Sequence, residues 1–295
     1  MNHHSGFVSL LGRPSVGKST LLNRLVGQKV AITSRRAQTT RNTLRGILTR
    51  PEGQIVFVDT PGLHTPHHRL GELMVKAAQE AAGDADLILL VIDASKVLGP
   101  GDELAFEVAA RVKVPVVLVV NKIDLASDHG EAILAEAQGR GQFAAACRVS
   151  ATTGQGVAEL VQTIFGLLPE GPPYYPPEMV TDQQERFLVA ETIREKALEV
   201  LREEVPHALA VDVELLREEE GKDLVHAVAT LYVEKESQKG IVIGRGGQML
   251  KAIGSAARYE LEGHFGKQVH LELWVKVRED WRKSPRDLRE FGYEE

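Results

Sequence analysis

With one cysteine in 295 residues, Cys147, the chain can form no internal disulfide, which fits a reducing intracellular compartment. That cysteine lies in a stretch of small residues, Ala144 to Val149, and reads as a buried structural thiol. Long apolar runs are also missing, since none reaches the roughly 18 residues that a membrane-spanning helix needs. Met1 to Gly6 lacks the basic start and apolar core of a signal peptide. No low-complexity tract or internal repeat is visible, so neither a disordered chain nor a repeat array is expected. A net charge of −6 argues against indiscriminate coating of nucleic acid. What remains, 43% apolar and 26% charged residues, is the balance of a soluble globular protein with room for two domains. A cytoplasmic protein is expected.

The first 168 residues alternate apolar strands with helices. Phe7 to Leu11, Ile55 to Val58, Leu87 to Ile92 and Pro115 to Val120 read as strands buried on both faces. Val157, Leu160, Val161, Ile164, Phe165 and Leu168 form one helical stripe. This alternation implies an α/β domain with a mostly parallel sheet, helices on both faces, and ligands at the carboxyl ends of the strands. Five prolines between Pro169 and Pro177 stop the pattern, because proline can continue neither a helix nor a central strand. The expected division is residues 1–168, a connector at 169–181 and a second domain at 182–295.

In the second part, Phe187, Ala190, Ile193, Ala197, Leu198 and Leu201 line a helix. Leu209, Val211, Val213 and Leu215 alternate as a half-buried strand, and a further strand runs from about Leu224 to Val233. Ile241 to Ile243 reads as a short apolar turn ahead of a glycine cluster and a helix from Gln248 to Leu261. Val269, Leu271, Leu273, Val275 and Val277 then share one strand face. Charge shifts too: Glu185–Asp223 holds twelve acidic residues against six basic, whereas Lys235–Arg289 holds twelve basic against seven acidic. The latter is a candidate footprint for phosphates.

Five elements carry chemistry. Gly12-Arg13-Pro14-Ser15-Val16-Gly17-Lys18-Ser19, with Thr20 behind it, follows a strand and opens a helix, the context in which G-x-x-x-x-G-K-[ST] cradles phosphates. Lys18 can reach the β- and γ-phosphates, and the Ser19 hydroxyl can join a magnesium shell. Asp59-Thr60-Pro61-Gly62 follows the next buried strand; Asp59 suits magnesium, and the Gly62 N–H can meet a γ-phosphate. Asn121-Lys122-Ile-Asp124 ends another strand. The Asp124 carboxylate can accept from guanine N1 and N2, where adenine would leave it unpaired, and unsatisfied polar groups discriminate strongly. Lys122 can lie along the purine and Asn121 can tie this loop to the phosphate loop. Ser150-Ala151 can offer a backbone N–H to the guanine oxygen. Within the polar segment Arg35 to Arg41, Thr40, or failing it Thr39, can complete the magnesium shell and sense the γ-phosphate. The expected catalytic set is Lys18, Thr40 and Gly62, and the expected metal ligands are Ser19, Thr40 and Asp59.

This set resembles a GTPase of the translation-factor-related class, which implies GTP/GDP and Mg2+ as ligands. Two positions depart from common patterns. Leu63 stands where many regulatory GTPases have a water-orienting glutamine, so slow intrinsic turnover is expected. Ser15 stands where relatives that use a monovalent cation have asparagine, so K+ would find only backbone oxygens. His64, His67 and His68 read as solvated loop residues.

Ile241-Val-Ile243-Gly244-Arg245-Gly246-Gly247 sets a Gly-x-x-Gly turn between helical segments, followed by Lys251 and Arg258. Such a turn admits a sugar–phosphate backbone, with bases in an apolar groove that Ile241 and Ile243 could line. It resembles a type II KH domain, which clamps about four single-stranded nucleotides. The GTPase and KH parts together, with Gln38-Thr-Thr-Arg41, Asp59-Thr-Pro-Gly-Leu-His64 and Ile193-Arg-Glu-Lys196, resemble the Era family of ribosome-assembly GTPases over nearly the whole chain. The resemblance implies binding near the 3′ end of small-subunit (16S-type) ribosomal RNA on the 30S-type subunit, a role in its assembly, and peripheral contact with the inner face of the cell membrane. A monomer is expected. Trp281 to Tyr293 is expected to pack on the KH domain. The other readings are an RNA-binding structural protein with static guanine nucleotide, and a small-molecule kinase, which a guanine-selective Asn121–Asp124 disfavours.

Overall fold

The computed structural model describes residues 3–34, 39–126 and 130–293. The chain divides into two compact units, the first running to Asp182 and the second from Gln183 onward, with the short segment His68–Leu70 grouped with the second. Arg35 to Gln38, part of the polar segment singled out above, lie outside the described residues.

In the first unit β1 (His4–Leu11), α1 (Lys18–Val26), β2 (Leu44–Arg50), β3 (Gly53–Asp59), α2 (Arg69–Gly83) and β4 (Leu87–Asp93) are followed by α3 (Pro100–Arg111), β5 (Val116–Asn121), α4 (Gly130–Gln138), β6 (Ala145–Arg148) and α5 (Val157–Leu167). The sheet order is β2-β3-β1-β4-β5-β6. Every pairing is parallel except β2 with β3. Each residue of β4 and β5 is buried, as uninterrupted runs of β-branched and leucine residues require when helices cover both faces. The ends of β1, β3 and β5 therefore present Gly12, Asp59 and Asn121 at one rim of the sheet, with the β6–α5 loop beside them. Cys147 is half-buried on the edge strand β6, and burial pushes its thiol pKa up.

The proline-rich stretch does more than connect. Gln54 is fully buried; its Oε1 accepts from the N–H groups of Tyr174 (2.7 Å) and Tyr175 (2.9 Å). The Ile47 N–H donates to Val180 O at 2.9 Å and the Thr181 hydroxyl to Arg45 O at 2.7 Å. Residues 169–182 thus form a strap along the outer strand β2 and group with the first unit.

The second unit runs α6 (Glu185–Val200), β7 (Ala210–Glu218), β8 (Leu224–Val233), α7 (Glu236–Ile243), α8 (Gln248–Phe265), β9 (Gln268–Val277) and α9 (Pro285–Glu290). Strands β7 and β8 are antiparallel, β8 and β9 parallel. Val189 and Ile193 of α6, Val242 of α7, and Ile253, Ala257 and Leu261 of α8 share one core with the sheet. Two expectations are corrected. Ile241–Ile243 is the last turn of a helix, because Val242 is buried in that core. Leu215 is 43% exposed, because a bulge between Val213 and Leu215 shifts the register, so Leu216 packs on the core instead. Trp281 is fully buried and its Nε1 donates to Ala208 O at 2.8 Å, so this end of the chain packs on its own unit. Among the described residues no helix is long and apolar enough to cross a membrane.

Candidate functional site

The phosphate loop owes its shape to the partners of its carbonyls. Gly12 O accepts from Lys18 Nζ (3.0 Å) and the Leu63 N–H (3.1 Å), and Arg13 O from Lys18 Nζ (3.2 Å). Pro14 O takes Arg13 Nη1 (3.4 Å), Ser15 O takes Lys122 Nζ (2.7 Å), Val16 O takes Asn121 Nδ2 (2.9 Å) and Gly17 O takes the Leu21 N–H (2.9 Å). In a trans peptide the N–H of the next residue points opposite to the carbonyl. Fixing these carbonyls therefore fixes the N–H groups on the opposite side of each peptide, except at Pro14, which has none. The result is an anion cradle at the N-terminus of α1. Ser15 and Gly17 adopt positive φ, 64° and 97°. A Cβ on Gly17 would lie 2.5 Å from Asn121 Nδ2, and one on Gly62 would lie 2.6 Å from Pro14 Cα. Both glycines permit approaches that a side chain would block.

Lys18 is buried, and burial lowers its pKa to about 8, against the attraction of Asp59 and with the repulsion of Arg13. Two of its three ammonium hydrogens have carbonyl partners, which leaves one for a phosphate oxygen. Beside it, Ser19 Oγ donates to Asp59 Oδ2 at 2.6 Å and stands 2.9 Å from Thr40 Oγ1, which itself lies 3.2 Å from Asp59 Oδ2. Burial raises the Asp59 carboxyl above its ordinary value, opposed by Lys18 and the two hydroxyls. Asp59 Oδ1 is buried without a hydrogen-bond partner. Two hydroxyls and one carboxylate, whose Oδ1 is unsatisfied, fit a hard cation such as Mg2+. Of the two candidate threonines, the one placed in this cluster is Thr40; Thr39 is buried. Thr60, buried next door, gives its hydroxyl to Leu10 O at 2.7 Å and so serves the strand rather than a ligand. Thr20 sits half-buried in the first turn of α1 and Pro61 is buried.

The base-reading end is joined to the cradle by one side chain. Asn121, 1% exposed, gives Nδ2 to the phosphate loop and accepts the Ala151 N–H on Oδ1 at 3.0 Å. The Ser150 N–H already serves Gln155 O at 2.9 Å. A guanine oxygen at this wall would therefore share the Ala151 N–H with Asn121, rather than find it free. Arg24 braces the same loop from α1, donating from Nε to Ala151 O at 3.0 Å. Lys122, at φ 66°, binds Asp93 Oδ2 at 2.7 Å as well as Ser15 O. Burial disfavours the Asp93 carboxylate, yet hydrogen bonds from Lys122 and Ser95 hold its pKa below the usual range. Asp124 is exposed on the same loop.

Leu63 is fully buried, so it offers nothing to an attacking water. His64 is half-buried and donates from Nδ1 to Gly62 O at 2.8 Å, which corrects the expectation of a solvated ring; His67 is exposed. Sequence reasoning missed Arg13, Asp93 and Asp102 as structural partners. Their contacts link residues from 29 to 89 positions apart, and no local pattern signals them.

In the second unit the Gly-x-x-Gly turn joins α7 to α8. Gly244, Gly246 and Gly247 all have positive φ (74°, 60°, 79°). A Cβ on Gly244 would lie 2.6 Å from Met249 Cβ, whereas Gly246 and Gly247 face open space. Ile241 is 48% exposed and Ile243 half-buried; Arg245 and Lys251 are exposed. The turn thus offers bare backbone, with two exposed cations and an exposed apolar side chain within a few residues of it.

Comparison with known proteins agrees with this geometry. Residues 7–122 match the family described as 50S ribosome-binding GTPase, and residues 204–282 match the KH domain. GTPase Era of Carboxydothermus hydrogenoformans is 49% identical, over 100% of this chain and 99% of the relative. GTPase Era of Caldanaerobacter subterraneus is 50% identical over 99% of each. Among solved structures, an Aquifex aeolicus Era variant bound to GDP.AlF4− superposes with a TM-score of 0.95 at 40% identity, covering 99% of this chain and 100% of that one. Era in complex with MgGDPNP and nucleotides 1506–1542 of 16S ribosomal RNA gives 0.96 at the same identity and coverage. Half-identical relatives matched from end to end, through both units, place the chain in the Era family of GTPases.

Proposed function

We propose that this GTPase is a guanine-nucleotide switch that binds small-subunit ribosomal RNA near its 3′ end through the KH unit and acts in assembly of the 30S-type subunit. The observation that carries the reading is the presence in one chain of a pre-shaped guanine-nucleotide site and a Gly-x-x-Gly turn with open backbone. In this reading the amides of Arg13 and of residues 15–19, with Lys18, hold the phosphates, and Asp124 selects guanine. Ser19, Thr40 and Asp59 hold Mg2+, which when bound supplies charge neutralisation for phosphoryl transfer. Thr40 and the Gly62 N–H report the γ-phosphate. With Leu63 buried, position 63 gives water no orienting side chain, and turnover is slow until a partner completes the site. Gly244, Arg245, Gly246, Gly247, Ile241, Ile243 and Lys251 contact RNA.

The relative solved with MgGDPNP and 16S nucleotides supports the choice of RNA. The description naming the 50S subunit covers only the nucleotide-binding half. A monomeric, cytoplasmic protein that touches the inner face of the membrane belongs to the same proposal, on family resemblance. Ser15, whose carbonyl is engaged by Lys122, gives K+ no side-chain carbonyl, so the reading uses magnesium only. The test is affinity for a small-subunit 3′-end oligonucleotide with GDP, with a GTP analogue and without nucleotide, beside a large-subunit control. A nucleotide-dependent difference of about tenfold, roughly 1.4 kcal/mol of coupling, is expected. Equal affinities in all three states would favour the static-cofactor reading.

A further inference from the structure

Arg13 occupies a position that the phosphate-loop motif leaves open to any residue, yet its side chain is held on two sides. Its Nε–H is shared between both oxygens of Asp102, at 3.1 and 2.9 Å, with the two side chains 17% and 2% exposed. Asp102 lies in the first turn of α3 and also accepts the Gly99 N–H at 3.0 Å, so it caps the helix that it ties to the loop. Arg13 Nη2 stands 3.9 Å from Asp93, a weaker second link. Contact is close: a Cβ on Gly101 would lie 2.9 Å from Arg13 Cβ and 3.6 Å from Leu63 O.

These contacts bear mainly on one edge of the nucleotide site. Val16 and Gly17 have their carbonyls held by Asn121 and Leu21, which do not touch Arg13, and Ser15 by Lys122, which meets Arg13 only through the long link of the latter to Asp93. Gly12, Arg13 and Pro14 are the residues against which the Gly62–Leu63 segment packs, through Leu63 N–H to Gly12 O and the close approach of Gly62 to Pro14. In the nucleotide-site reading, that edge faces the γ-phosphate, whereas the other serves the diphosphate and the base. Where no side chain at position 63 aligns water, the placement of this backbone sets the reacting geometry, and small misplacements cost large factors in rate.

We infer that Arg13, clamped by Asp102, is a positioning residue for GTP hydrolysis: the pair fixes Gly12–Pro14 so that the Gly62–Leu63 backbone meets the γ-phosphate correctly. The inference rests on the nucleotide-site reading above and adds to it a helix α3 contribution that touches no nucleotide atom. Asp102→Asn keeps an oxygen to cap α3 but removes the charge that orients the guanidinium. Arg13→Lys keeps charge without the planar donor set.

The experiment measures single-turnover GTP hydrolysis and affinity for a fluorescent GDP analogue on the full chain, for Asp102→Asn, Arg13→Lys and the double variant. Expected is a fall of about tenfold in the hydrolysis rate for each single variant, with GDP affinity in Asp102→Asn within about twofold of the parent. The double variant should be no slower than the slower single one, since both break the same contact. Hydrolysis within twofold of the parent in Arg13→Lys would overturn the inference, and so would parallel loss of rate and GDP affinity in both singles. Should Asp102→Asn fail to fold, Arg13→Lys carries the same test. A parent that hydrolyses no GTP would sink the nucleotide-site reading instead, and the two failures are distinct.

Discussion

Replacing Asn121 by alanine should loosen nucleotide more than any other single change outside the phosphate loop. The amide bridges two loops that have no other side-chain link to each other in the site: Nδ2 to Val16 O at 2.9 Å, Oδ1 from Ala151 N at 3.0 Å. Alanine leaves both backbone groups buried and unpaired, at about 1–3 kcal/mol each. The free variant carries the same unpaired groups, so the loss reaches affinity through the loosened loops that nucleotide must re-order, a cost taken as about 2–4 kcal/mol. At about 1.4 kcal/mol per factor of ten, this is roughly 30- to 700-fold in Kd for GDP. The assay is release of a fluorescent GDP analogue in a stopped-flow instrument, because weakened contacts act mainly on dissociation. Gly17→Ala attacks the same bond from the other side, since its Cβ would lie 2.5 Å from Asn121 Nδ2 at a φ of 97°. It should release GDP comparably fast, and the two changes together should fall short of additivity. Asn121→Ala binding GDP within threefold of the parent, with the fold intact by circular dichroism, would refute the bridge.

The buried Lys18 makes affinity depend on pH. Its pKa of about 8 lies below the ordinary lysine value of 10.5, so free protein loses this proton as pH rises past about 8, while phosphates favour its retention. GDP affinity should be flat below about pH 8 and fall by up to roughly tenfold per unit above it, and Lys18→Met should remove the slope. The same shift makes nucleotide-free protein gain stability from about pH 8 towards 10.5, where the unfolded chain binds more protons, an effect that thermal melts can follow. Asp124→Asn exchanges a pure acceptor for an amide that also donates, so GTP should lose at least about 100-fold in affinity, while xanthosine triphosphate, which carries an oxygen at C2, should gain; competition binding reads both. Gly246→Asp puts a carboxylate in open space at a positive φ of 60°. Melting should drop only slightly, by about 1 kcal/mol of backbone strain, while RNA affinity falls at least about tenfold and GTP hydrolysis is unchanged.

The nucleotide site was legible in the sequence because its parts are short, local and tied to strand ends. A glycine that must curl, or a carboxylate that must follow an apolar run, is written in adjacent letters. Less legible were the contacts between those parts. That Asn121 would reach both Val16 and Ala151 was half anticipated, but Arg13 with Asp102 and Lys122 with Asp93 depend on which strands become neighbours. Strand β2 went unread because Leu44 to Arg50 interrupts its apolar pattern with Gly46 and runs against its neighbour. In the second unit Ile241, Val242 and Ile243 are all β-branched, which disfavours helix locally, yet burial of Val242 settled the matter. The alternation through Leu215 was misread because a bulge moves every later side chain to the other face.

The strap at residues 169–182 also bears on how the two halves could be handled separately. Strand β2 is the outermost of its sheet, and an uncovered outer strand offers free N–H and C=O groups to any passing chain. Val180 and Thr181 occupy two of those groups, and prolines upstream cannot donate to further pairing. A fragment cut after Leu168, where the helical pattern stops, would bare this rim and the amide of buried Gln54, inviting self-association. A cut after Asp182 leaves the rim dressed, and that is where a stand-alone nucleotide-binding fragment should end.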